Sequence, residues 1–155
     1  MRTLLFVGAF LNIAAMISPD GNQPANISGY WMNDTGDVIV RIYQKEDATL
    51  AGDIVWLADS LDGYNQPLRD VMNDEPEKRS RLVKGLTVLY DFKWSSDAWR
   101  DGTYYNYQTG NDYEIKILPD ENGNLRLTGY YGILFFLGKT RIWTPVVDKS
   151  LYGLK

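Results

Sequence analysis

The sequence predicts an all-β fold, an antiparallel up-and-down β-barrel of about eight strands. Two observations predict it. From Gly29 onward the apolar residues recur in short runs of period two, with no sustained helical period. The runs are separated by clusters of Asn, Asp, Gly and Pro at hairpin spacing, which excludes a parallel sheet with crossover helices. Closing such a sheet removes its exposed edges and leaves an interior able to hold one small ligand. A β-sandwich has the same periodicity and fits these two observations as well.

The elements follow in order. Arg2 precedes an uncharged, mostly apolar stretch from Leu4 to Ile17, which Ser18-Pro19-Asp20-Gly21 breaks. This stretch is shorter than the roughly 20 residues of a spanning helix and has the layout of a signal peptide. Residues 1–25 are therefore expected to be signal and linker, and 26–155 the mature domain of a periplasmic or secreted bacterial protein. A retained N-terminal anchor is the alternative. Tyr30 to Met32 begins the first strand, and Asn33-Asp34-Thr35-Gly36-Asp37 turns it. Val38, Val40 and Ile42 alternate with Ile39, Arg41 and Tyr43. Leu50, Gly52, Ile54 and Trp56 are expected to share one face of the next strand. Ala58 to Lys84 is a long polar stretch, the kind of loop that is functional or partly helical. Leu86, Val88, Tyr90, Phe92 and Trp94 are expected to face one way, and Thr87, Asp91 and Lys93 the other. Ser95 to Gly102 reads as a turn region containing Trp99, before a short strand from Thr103 to Asn106. Tyr113, Ile115 and Ile117 alternate with Glu114 and Lys116, Pro119 to Asn124 is a hairpin turn, and Leu125–Tyr131 and Lys139–Val146 supply the last strands.

Composition narrows the function. The chain of 155 residues suits one domain and is long enough to bury a core without staples. Its net charge is −4, and its one local basic cluster is Lys78, Arg79, Arg81 and Lys84, so no nucleic-acid footprint is present. It has no Cys, hence no disulfide, thiol nucleophile or thiolate metal site, and no His, hence no triad base or imidazole ligand. No cofactor, metal or catalytic set is expected. Asp53 and Glu114 fall opposite the apolar faces, which points them outward rather than across a cleft. Asp120-Glu121-Asn122-Gly123 lacks the spacing of a calcium loop.

Aromatic residues reach 14% of the chain, with 11 Tyr, 5 Trp and 5 Phe. Such flat, polar-tipped side chains suit a ligand cavity as well as a core. Trp56, Tyr90, Trp94, Tyr105, Tyr113 and Tyr130 are the candidate cavity lining, with plain core packing as the alternative for each. Arg79 and Arg81 either fork onto a ligand carboxylate or tie the long loop to its own carbonyls and to Asp70, Asp74 and Glu75. The apolar run Ile133 to Leu137 either plugs or lids the barrel or, if exposed, forms a partner patch.

Three blocks together carry a resemblance. Gly29-Tyr30-Trp31, then Arg79-Ser80-Arg81-Leu82-Val83-Lys84-Gly85-Leu86, then Gly129-Tyr130-Tyr131-Gly132 leading to Trp143-Thr144, are similar to a bacterial family of small exported proteins. That family is known as a conserved domain of unknown function with a lipocalin-like structure. The resemblance runs from about Gly29 to Val146 and implies a barrel with a ligand cavity and no established enzymatic activity. Two places depart from the family pattern: Asn73 is followed by Asp74-Glu75-Pro76 where Asn-Pro-Asp is usual, and Tyr105-Asn106-Tyr107 stands for Tyr-Asp/Asn-Pro. Gly29-x-Trp31 also resembles the lipocalin opening motif, which implies barrel closure by Gly29 and Trp31 with Arg141 laid over the indole and Trp143 nearby. The expected function is carriage of a small hydrophobic or amphipathic, fatty-acid-like molecule, with no nucleic acid and no stable membrane insertion after signal cleavage. The alternative is a glycan- or protein-binding module displaying Trp99, Tyr104, Tyr107 and Tyr131.

Overall fold

Alternation and turn chemistry close the sheet on itself. The structure, a computed structural model, describes residues 23–129 and 140–155. Its strands are β1 (Gly29–Met32), β2 (Val38–Gln44), β3 (Leu50–Leu57), β4 (Thr87–Ser95), β5 (Ala98–Asn106), β6 (Asn111–Pro119), β7 (Leu125–Gly129) and β8 (Arg141–Pro145). Each pairs antiparallel with the next, and β8 returns to β1 through Trp31↔Pro145 and Met32↔Thr144, so the barrel is closed. The sandwich alternative is thereby removed. Asn33 builds the β1–β2 turn: its side-chain oxygen accepts from the N–H groups of Asp37 and Val38, each at 3.0 Å. Asp120 does the same for the β6–β7 turn, accepting from Asn122 and Asn124.

The β4–β5 connection is tighter than the sequence suggests. Trp94↔Trp99 and Ser95↔Ala98 are paired, so Ser96 and Asp97 alone form the turn and Trp99 lies within β5. A signal within Ser95–Gly102 was the left-handed tolerance of a polar pair; Ser96 adopts φ 60°.

Bulges redirect side chains. Between β2 and β3 one step from Ile39 to Val40 meets two steps from Trp56 to Ile54, leaving Val55 as the extra residue. The parity of β3 flips there. Ile54 faces the core, whereas Trp56 turns to the outer face and meets Tyr152 edge-on at 5.0 Å. Between β3 and β4 the register shifts twice more, around Val88 and around Tyr90–Asp91. Val88 and Leu89 both enter the core, while Tyr90, paired with Thr103, is half-buried against it and donates its hydroxyl to the Thr87 carbonyl. Asp91 and Asp101 sit at φ 54° and 57°, a conformation that short polar side chains tolerate better than others. Two glycines admit the rings of the core. A Cβ on Gly102 would overlap the Phe92 ring, and one on Gly52 would lie 2.8 Å from Leu89 and 2.9 Å from Val40.

One end of the barrel is shut. Ala25 and Ile27 are buried beneath it, and two indoles hold them by their carbonyls: Trp31 Nε1 donates to Ile27 at 2.9 Å and Trp99 Nε1 to Ala25 at 3.0 Å. Trp94 meets Trp99 edge-on at 5.6 Å, and Phe92, Ile117, Leu50 and Leu125 fill the space above. After β8 a short 3₁₀ turn, Lys149–Tyr152, packs outside the wall, where Lys149 lies over the Tyr30 ring.

Candidate functional site

The opposite end carries the β1–β2 and β5–β6 turns and the long β3–β4 connection. That connection, residues 58–86, is a strap held by a pairing of Leu61 with Pro67 and of Arg69 with Leu82, with one 3₁₀ turn at Pro76–Lys78. Its anchor is Asp70, fully buried, whose carboxylate accepts from the Tyr105 hydroxyl at 2.5 Å, Arg81 at 2.7 Å and the Asn73 amide at 3.1 Å. Asn73 also donates to the Tyr105 hydroxyl at 2.9 Å, and Arg79 Nε donates to the Asn73 carbonyl at 2.7 Å. Burial and the hydrogen bond to Asp70 push the Tyr105 phenol up to about 12. Arg79 and Arg81 thus follow the loop-tying alternative; both are spent on acceptors of the strap itself.

Beside the strap lies a cavity of about 80 Å³, lined by Asn33, Asp34, Thr35, Asn106, Gln108, Arg141 and the aromatic and apolar side chains Tyr104, Trp143 and Leu127. Beside it is a smaller space of about 20 Å³ lined chiefly by Val38, Val40, Ile54, Val88, Tyr105 and Tyr107. Asn33, Tyr104 and Trp143 line both, so those three side chains stand between a larger, more polar chamber and a smaller, more apolar one. Tyr104 meets Trp143 edge-on at 6.3 Å and stacks on Tyr113 at 6.3 Å. Burial, reinforced by Tyr107 and by the negative charge of Asp34, pushes the Tyr104 phenol far above its ordinary value, so it keeps its proton at neutral pH.

Two lining residues define the electrostatics. Arg141 donates to Asp34 at 2.6 Å, with side chains 29% and 30% exposed, so the positive and negative charges of the chamber face each other. Asn106 is 3% exposed and lines the cavity; its side-chain oxygen accepts from the Gln108 N–H at 2.9 Å, while its amide nitrogen donates to no described residue.

The sequence-predicted residues scatter across this geometry. Trp94 and Tyr113 pack against the core, Tyr105 borders the smaller chamber and ties down the strap, Trp56 is on the outer face, and Tyr90, paired with Thr103, is half-buried against the core without lining either chamber. Tyr130, Tyr131 and the run Ile133–Leu137 lie outside the described residues. Trp31 is buried at the shut end, and Gly29 begins β1 at φ 149°. Arg141 is not where the resemblance sets it. It stands four residues before Pro145, the β8 partner of Trp31, and engages Asp34 at the open end because the β1–β2 turn presents that carboxylate to it. Trp143 lines the chambers. Of the proposed surface platforms, Trp99 is buried and Tyr104 lies in the chamber wall. Sequence reasoning missed Asp34, Tyr104 and Asn106 as cavity residues. The available signal was topological: in an up-and-down barrel the first and fifth turns open on the same end.

A closed eight-stranded antiparallel barrel, plugged at one end and hollowed at the other, is lipocalin-like in architecture. The model of the bacterial family described as "Uncharacterized protein conserved in bacteria (DUF2147)" matches residues 29–145, and the chain belongs to that family. The chain is similar to a solved structure, protein HP1028 from the human pathogen Helicobacter pylori, described as belonging to the lipocalin family. The TM-score is 0.66 and the identity 21%, over 83% of this chain and 88% of that one. No curated protein matches the chain.

Proposed function

We propose that this protein is an exported, non-enzymatic carrier of a small amphipathic molecule, taken up at the open end of the barrel. The observation that carries it is the pair of adjoining chambers that share the Tyr104 and Trp143 rings, the larger more polar and the smaller more apolar. A pocket with an apolar floor and a few placed polar groups is the common form of small-molecule sites. The polar head of a ligand rests among Asn33, Thr35, Asn106 and Arg141, and its apolar part displaces the Tyr104 and Trp143 rings toward Val38, Val40 and Ile54. Each buried methylene then contributes about 0.8 kcal/mol. Export is supported by Arg2 followed by the apolar stretch Leu4–Ile17. The absence of His and Cys from the sequence, and the engagement of Asp34 by Arg141, favour binding over catalysis.

Native mass spectrometry of protein purified from the periplasm of its own host tests this. A stoichiometric small molecule leaving on collisional activation is the expected result. Protein that is consistently empty, and that captures no amphiphile when one is added, overturns the proposal.

A further inference from the structure

Taking the carrier role as given, we infer that the ligand head received by the larger, more polar chamber is uncharged and accepts hydrogen bonds, such as a hydroxyl, ester or amide, and is not a carboxylate. A fatty acid needs a cation to offset the desolvation of its head. The three arginines that could serve are all engaged within the protein: Arg79 by the Asn73 carbonyl, Arg81 by Asp70, and Arg141 by Asp34. Arg141 is the one cation among the described residues lining the chamber, and Asp34 is the one anion. An entering carboxylate would meet the like charge of Asp34 and would have to share Arg141 with it, so that one cation faces two anions in a partly buried site.

The neutral groups are arranged differently. Asn106 is 3% exposed and lines the chamber, and its amide N–H₂ donates to no described residue. A ligand acceptor that reaches this group gains a hydrogen bond inside the chamber. Gln108 adds an amide that both donates and accepts, while the Thr35 hydroxyl donates to Asp37. The chamber therefore has the chemistry of a site for a hydroxyl, ester or amide head, with the apolar space beside it for a short tail.

The test compares two probes on the intact protein: a short-chain monoacylglycerol and the free fatty acid of the same chain length, both below micellar concentration. Binding is read by the fluorescence of Trp143, in the chamber wall, and by calorimetry. The monoacylglycerol is expected to bind at least about tenfold more tightly. Asp34→Asn removes the anion and leaves Arg141 without its carboxylate, so the order of the two probes is expected to reverse. Asn106→Ala is expected to weaken the monoacylglycerol about tenfold. Near-ultraviolet circular dichroism checks that each variant is folded, and either variant alone suffices if the other is not. Tighter binding of the fatty acid by the unmodified protein overturns the neutral head but leaves the carrier role standing. Binding of neither probe, or of any other amphiphile, overturns the carrier role itself.

Discussion

The two ends of this barrel are built from the same residue types and do opposite things with them. At the shut end, Trp31 and Trp99 donate their indole N–H groups to the carbonyls of Ile27 and Ala25, so large rings and their polar tips are both satisfied by the chain. At the open end, Tyr104 and Trp143 are also large rings, yet they divide two spaces instead of filling one. The difference lies in what each end receives. The shut end receives an apolar segment that brings its own backbone acceptors. The open end receives turns rich in Asn, Asp and Thr, whose side chains bond to one another and to Arg141 rather than to the rings. An aromatic ring completes a core where backbone comes to meet it, and lines a cavity where only polar turns do.

That contrast can be broken most forcefully at the shut end. Trp99→Ala removes a fully buried indole and orphans the Ala25 carbonyl. It is expected to cost about 3–5 kcal/mol in urea denaturation, a large share of a domain's total stability. Amphiphile binding by the fraction that remains folded is expected to survive. A stability loss under about 1 kcal/mol would mean that the plug is not what holds this end together.

The strap comes next. Asp70→Asn keeps the shape of the side chain but removes the charge that Arg81, Asn73 and Tyr105 all address. Because the Arg81 side chain is 37% exposed and water screens it, the expected cost is about 2 kcal/mol rather than that of a wholly buried pair. Limited proteolysis is expected to cut the variant first within residues 58–86, while the barrel resists.

The smallest effect sharpens the strap's chemistry. Tyr105→Phe is expected to cost about 1 kcal/mol at neutral pH. The folded chain holds the Tyr105 proton to about 12, against 10.0 ordinarily, so it binds that proton more tightly than the unfolded chain does. The stability contributed is therefore complete below pH 10.0 and is lost as pH rises toward 12. Equilibrium unfolding followed across that range should show a steep alkaline decline that Tyr105→Phe makes shallower, Tyr104 still contributing.

Much of this was legible in the sequence. Period-two runs and turn clusters located all eight strands, and the turn residues of the Asn33 and Asp120 loops behave as their chemistry dictates. What alternation could not carry was parity beyond a bulge. Once Val55 is an extra residue, Trp56 must face the other way, and the register shifts again around Tyr90 and the left-handed Asp91. Aspartates set inside apolar runs, such as Asp91 and Asp101, are the faint local trace of such shifts. The roles of Arg81 and Arg141 were hidden for a different reason. Each depends on a partner far along the chain, Arg141 on Asp34 and Arg81 on a carboxylate whose burial no local pattern announces.

The most direct test of the contrast between the ends is a backbone and indole amide titration by nuclear magnetic resonance with a short-chain monoacylglycerol. Shifts are expected at Asn33–Asp37, Asn106–Gln108 and Arg141–Trp143, with the Trp31 and Trp99 indole signals and the amides of Ala25 to Ile27 unmoved. Perturbation centred on those two indoles, with the open-end turns silent, would contradict it.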